Sequence, residues 1–158
     1  MSTMQIEAKR FATEIDDLLD ETFEHVHGIY LDGGTSLFET LETISEEEAS
    51  RPVSARCASL AAQVNHVRFY LEVLESYMRG NPVHNADWQG SWKPTSVTNE
   101  EWEHLEQRLR DAYGSILSVM KGLDSWSNED QIGGAMAVVV HTAYHLGEIR
   151  QALCTIKQ

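Results

Sequence analysis

Apolar side chains recur at spacings of three and four residues in four long stretches of this chain, and nowhere do they alternate with the two-residue period of a strand. That pattern leaves no sequence for a sheet and makes the chain all-α. The first stripe is Phe11, Ile15, Leu18, Leu19, Phe23 and Val26, ending near Gly28 ahead of the irregular Leu31-Asp-Gly-Gly-Thr-Ser36. A short helix follows over residues 36–44, and Ser45-Glu-Glu-Glu48 is a capping box for another turn that stops before Pro52. The second long helix carries two adjoining stripes, Leu60, Val64, Val67, Leu71, Leu74, Met78 and Ala62, His66, Phe69, Tyr70, Val73, Tyr77, so it should be buried over much of its circumference. Thr98-Asn-Glu-Glu101 caps a third helix with Trp102, Leu105, Leu109, Ala112, Tyr113, Ile116 and Met120 on one side and Gly122 at its end. The fourth starts near Ser127, a suitable N-cap, and its first half is apolar almost all round.

Long helices over residues 5–28, 54–79, 99–121 and 128–156 predict a four-helix bundle in a single domain, residues 1–158, with a long first crossover connection wrapping one flank. At 158 residues the chain buries a sufficient core without a disulfide or structural metal. A metal, if bound, would therefore serve function. The formal net charge of −13 opposes nucleic-acid backbones and anionic membranes. With no signal-peptide core and no bilayer-length apolar run, a soluble cytoplasmic protein without nucleic-acid or membrane partners is expected. Cys57 and Cys154 lack zinc or redox spacing, and each lies nine residues from a histidine, on the far side of its expected helix. Both are expected to be packing residues.

His141-Thr-Ala-Tyr-His145 puts two imidazoles on one helix face, about 40° apart at about 100° per residue. That is half of a metal site, held on a rigid element. The third candidate ligand is His66, set in the apolar run Leu60–Leu71, where an imidazole needs a partner. Three neutral histidines leave coordination positions open, the mark of a catalytic or ligand-binding metal. Such a metal could acidify a water, polarise a carbonyl or hold a substrate thiolate. The spacer Thr-Ala-Tyr contains no glutamate, which argues against the zinc-peptidase arrangement.

Other residues are candidates around this centre. Glu148, seven residues after His141, returns to the same face and could orient a ligand, act on substrate or form an ordinary ion pair. Tyr70 follows His66 by one turn and either presents its phenol or packs. The connection over residues 81–97 holds Trp88 and Trp92, which either roof the open positions and bind a cofactor or simply bury surface. His104 is expected to be exposed, and His25, His27 and His84 lie outside the constellation.

Val64-Asn-His66-Val, the aromatic Asp87-Trp-Gln-Gly-Ser-Trp92 and the final His141-Thr-Ala-Tyr-His145-Leu-Gly-Glu-Ile-Arg-Gln151 together resemble the DinB-like metal-dependent four-helix-bundle superfamily over essentially the whole chain. The resemblance implies one divalent metal on His66, His141 and His145, with nickel or zinc favoured and iron or manganese compatible. It also implies a low-molecular-weight thiol and a small-molecule substrate, because characterised relatives include thiol-dependent S-transferases. Homodimers are common in the superfamily, and Met136, Val139, Val140 and Ala143 form an apolar side of helix four suited to a second subunit. A non-catalytic metal- or ligand-binding stress-response module is the alternative. A basic cluster at the site mouth, for which Arg68, Lys93 and Arg150 are candidates, would favour the enzyme; a mouth sealed by Trp88 and Trp92 would favour the module.

Overall fold

The computed structural model describes residues 6–158, and among them every regular element is helical: α1 (Ala8–Phe23), α2 (Leu37–Leu41), α3 (Glu46–Ser50), α4 (Leu60–Met78), α5 (Asn99–Lys121) and α6 (Glu129–Ile156), with a 3-10 turn at Gly90–Trp92. The four long helices are compatible with a helical bundle. Helix α4 packs most extensively, against α5 and α6, and α1 lies on α6. Every residue of α4 from Leu60 to Arg68 is buried, the polar ones included, which makes it the central helix. No helix among the described residues is long and apolar enough to cross a membrane.

The expected ends of α5 hold, because the Thr98/Glu101 capping box forms and Gly122 closes the helix. Three other boundaries move. Helix α1 stops at Phe23, short of residue 28, and the expected start at residue 5 lies outside the described residues. Its end is drawn in by Glu21, fully buried, whose carboxylate accepts backbone N–H bonds from His27, Ile29, Tyr30 and Leu31 at 2.6–2.8 Å. Gly28, at φ +81°, gives the reversal this wrap requires. Burial alone would raise the Glu21 pKa, but the four donors hold it down at about 2.

Helix α4 begins at Leu60, not at residue 54. Ser59 supplies the cap, accepting from Ala62 N, while Ser54–Cys57 closes a separate turn through Cys57 N to Ser54 O at 3.0 Å. Cys57 is thus on a loop, and both cysteines are exposed rather than packed. Helix α6 is capped by Asn128, which accepts from Gln131 N, and not by Ser127. The short helices α2 and α3 both carry capping boxes, from Ser36/Glu39 and Ser45/Glu48. They are pinned to α5 by Trp102, whose indole donates to Ile44 O, and by Phe38, packed with Phe23 on Tyr113. On the expected dimer side of α6, Val139 is buried in the chain's own core and Ala143 is half-buried, whereas Met136 and Val140 are exposed, along with Tyr144.

Candidate metal centre

Packing of α6 on α4 brings the three expected histidines together: one ring nitrogen from each of His66, His141 and His145 lies within 4.8 Å of the other two. Ring centroids are 5.1 Å apart for His66–His141 and for His66–His145, and 4.5 Å for His141–His145. His66 and His145 are buried and His141 is partly so. His25, His27, His84 and His104 take no part; His27 instead pairs with Asp20 at 2.5 Å.

The hydrogen bonds around the rings decide which nitrogens are free. The Ser91 hydroxyl donates to Trp88 O at 2.7 Å, so toward His66 Nδ1, also at 2.7 Å, it can only accept. His66 Nδ1 therefore carries the proton and Nε2 keeps its lone pair. His145 Nδ1 lies 3.0 Å from Glu148 Oε2 and 3.3 Å from Gln63 Oε1; both are acceptors, which again protonates Nδ1 and frees Nε2. His141 Nδ1 is buried and has no partner among the described residues. A ring of the cluster thus carries an unsatisfied nitrogen, a polar deficit inside an otherwise paired site.

Electrostatics favour the same state. Burial lowers the pKa of His66 to about 4 and that of His141 to about 3, each helped by the charge a neighbouring imidazole would carry. Burial also lowers that of His145, and Glu148 opposes part of this. At neutral pH the centre is three uncharged imidazoles, the form in which histidine ligates a metal.

Aromatic rings fix these imidazoles in place. Tyr70 stacks on His141 at 3.6 Å and 8°, and Trp92 on His66 at 4.0 Å and 12°. Trp88 stands further out, edge-on to Phe69 at 5.4 Å and 6.4 Å from His66, and stays 42% exposed. Burial raises the Tyr70 pKa, so its hydroxyl remains protonated at neutral pH. The loop that delivers Trp92 and Ser91 is tied to α4 by buried Asn65, whose amide donates to Ser91 O and Lys93 O and whose carbonyl accepts from Arg68 Nε. Asp87 caps Gly90 N, and a Cβ at Gly90 would stand 2.1 Å from Asp87 Oδ2, so any side chain there would push the capping carboxylate aside.

Gln63, Asn65 and Ser91 were not singled out as site residues in the sequence, and Arg68 was named only as a basic candidate for the mouth. Their one sequence signal is polarity inside an apolar helix face, Gln63-Val-Asn65-His66-Val-Arg68. Of the three basic candidates, Arg68 is turned inward to Asn65 and Glu72, Arg150 lines a separate cavity with Thr40 and Lys157, and Lys93 is exposed. A cavity of about 720 Å³ abuts the centre, bounded by Gln63, Trp92, Tyr144 and Glu148, which contact the histidine rings, and by Arg56 and Gln151.

No protein-family model matches this chain, and no curated protein or solved structure is significantly similar to it.

Proposed function

We propose that the chain is a DinB-like divalent-metal protein that catalyses thiol-dependent S-transfer to a small molecule. The observation that carries the reading is the donor set: three neutral imidazoles in reach of one another, two with Nε2 freed by hydrogen bonds at Nδ1 and one with a buried nitrogen lacking any partner. Three nitrogen donors suit nickel or zinc and admit iron or manganese. When bound, the metal supplies the charge that lowers a thiol's pKa and leaves a position for its sulfur.

The chain's own residues do the rest. Gln63 and Glu148 hold the His145 ring, Ser91 holds His66, and Tyr70 and Trp92 lie flat on two rings and keep water off them. Glu148 lines the cavity as well as touching His145, so its carboxylate takes the proton that the thiol releases. The thiolate sulfur then forms a bond to the electrophilic carbon of the second substrate as that carbon's leaving group departs. Trp92 and Tyr144 border the cavity in which a substrate rests, while Trp88, expected to share this role, does not line it.

Flat coverage of His66 by Trp92 favours, as a second reading, a module that holds metal or ligand without turnover. Metal analysis of the purified protein after loading with zinc or nickel, followed by thiol titration of the nickel form monitored by its thiolate charge-transfer band, separates the two. One equivalent of metal and a saturable thiol band support the transferase. One equivalent without a thiol band supports the module, and no uptake ends the transferase and any metal-holding module.

A further inference from the structure

Helix α6 has a second face with chemistry of its own. Arg150 follows His141 by nine residues, which at about 100° per residue turns it about 180° from that ligand. It lines a cavity of about 540 Å³ between α6 and the α2 segment, together with Gly34, Thr40, Thr43, Cys154 and Lys157. Among the described residues the arginines and lysines that are at least partly buried are Arg68, Arg110 and Arg150. Arg68 pairs with Glu72 and Arg110 with Glu42, but the Arg150 guanidinium makes no ion pair or hydrogen bond among those residues. A half-buried guanidinium has given up part of its water, and an anion entering the cavity would replace what was lost. Thr40 points the same way independently. It is 4% exposed and lines the cavity, and its hydroxyl reaches Thr35 O only at 3.5 Å, beyond the range of a well-formed O–H···O bond. The neighbouring charges set the charge of the ligand. Lys157 lies 3.4 Å from Glu48 and donates to Thr43 O, so its charge is matched, and Arg150 leaves one positive charge to be met.

We propose that this cavity binds a small monocarboxylate with an apolar body, its carboxylate on the Arg150 fork and the Thr40 hydroxyl and its apolar end against Leu153 and Cys154. A dianion such as a phosphate monoester would keep one charge unmatched on an acidic chain, and a cation would be repelled by Arg150. The site is separate from the three histidines. It stands whether or not they hold a metal.

Benzoate, benzamide and benzamidine are near-isosteric and differ as anion, neutral molecule and cation, while phenyl phosphate supplies a dianion. Each is titrated into metal-free protein at slightly alkaline pH. The Nε–H signal of Arg150 is followed by NMR, and the rate at which iodoacetamide alkylates Cys154 is read by peptide mass spectrometry, with Cys57 as the internal control. Benzoate should bind about tenfold more tightly than benzamide, the combined yield of a partly exposed charge pair and one hydroxyl hydrogen bond. It should also slow alkylation of Cys154 and leave that of Cys57 unchanged. Phenyl phosphate should bind more weakly than benzoate, and benzamidine no more tightly than benzamide. Arg150→Gln should bring benzoate within about twofold of benzamide, whereas Arg56→Gln, beside the other cavity, should leave the preference intact. Failure of benzoate to bind, equal binding of benzoate and benzamide, or bound benzoate that leaves Cys154 as reactive as before overturns the proposal in the wild-type protein alone. A preference that survives Arg150→Gln, or one lost in Arg56→Gln, places the carboxylate elsewhere and overturns it too. Tighter binding by phenyl phosphate than by benzoate rejects the monocarboxylate.

Discussion

Ser91→Ala removes one oxygen atom from the support of the centre and leaves the ligands untouched. In the wild type the Ser91 hydroxyl accepts from His66 Nδ1 at 2.7 Å and donates to Trp88 O at 2.7 Å, while Ser91 O is independently held by Asn65. The loop should therefore keep its path, and Trp92 its stack on His66. What is lost is the acceptor that fixes the proton on Nδ1 and the ring's orientation. Partners of this type are worth about 10–100-fold in metal affinity, or about 1.4–2.7 kcal/mol. Folding stability should fall as well, by about 1–3 kcal/mol, because a buried N–H is left without an acceptor. Ser50→Ala is the matched control: Ser50 Oγ joins Val97 N and Val97 O at 2.9 and 3.2 Å and bonds to no histidine, so its loss should cost stability and leave zinc affinity unchanged. Chelator competition gives the zinc affinity, and urea denaturation of metal-free protein gives the stability. Zinc affinity of Ser91→Ala within about twofold of wild type would refute the reasoning, as would ¹⁵N NMR showing the His66 proton on Nε2.

Replacing His141 or His145 with Ala should abolish stoichiometric metal while far-UV circular dichroism keeps its helical signal, since the hydrophobic core does not depend on an ion; a collapse of helicity would contradict this. For metal-free protein the folded pKa values of His66 and His141, about 4 and about 3, lie below the ordinary 6.5, so the unfolded chain binds more protons; the stability from keeping these rings neutral is full above pH 6.5 and drains as pH falls toward 4 and 3. Urea midpoints unchanged from pH 7 to 4.5 would disprove it. Glu21→Gln should cost about 2–4 kcal/mol, because two of the four N–H groups keep only an uncharged oxygen and the other two face an amide N–H₂ donor. Since the wild-type Glu21 pKa is lowered from 4.5 to about 2, that stability is present above pH 4.5 and lost toward pH 2, and the variant should lack this limb of the acid profile. We propose that the exposed Met136 and Val140 form the homodimer contact that the resemblance implies; Val140→Glu should then halve the mass measured by light scattering, and a monomeric wild type would end that idea.

The helices were legible because their signals are local. Thr98 and Glu101, or Ser45 and Glu48, satisfy orphan N–H groups within one turn, and the sequence alone contains both partners. Misplaced boundaries share the opposite cause. Helix α1 is cut short by a carboxylate whose N–H donors lie six to ten residues ahead in a loop, and no periodicity announces that Glu21 will be buried. The residues before α4 look helical by composition, yet Ser54 and Ser59 each close their own local hydrogen bonds and separate a turn from the helix.

That second misplacement bears on function. A helix from residue 54 would have carried Arg56 and Cys57 along a rigid axis, whereas the observed turn lays Arg56 along the cavity that abuts the centre. The ligands themselves were readable because two of them obey the i, i+4 rule of a helix face, and the third is the one histidine in the apolar run of α4. Their support was legible only in Glu148, which reaches His145 from the next turn of the same helix. Gln63 meets His145 only through the crossing of α4 with α6, and Ser91 meets His66 only because the 3-10 turn folds back on α4. Yet those three set the tautomers, and the tautomers decide whether Nε2 of His66 and His145 offers a lone pair or a proton. The chemistry of the centre is thus written in side chains that look, along the sequence, like ordinary polar residues out of place in an apolar helix.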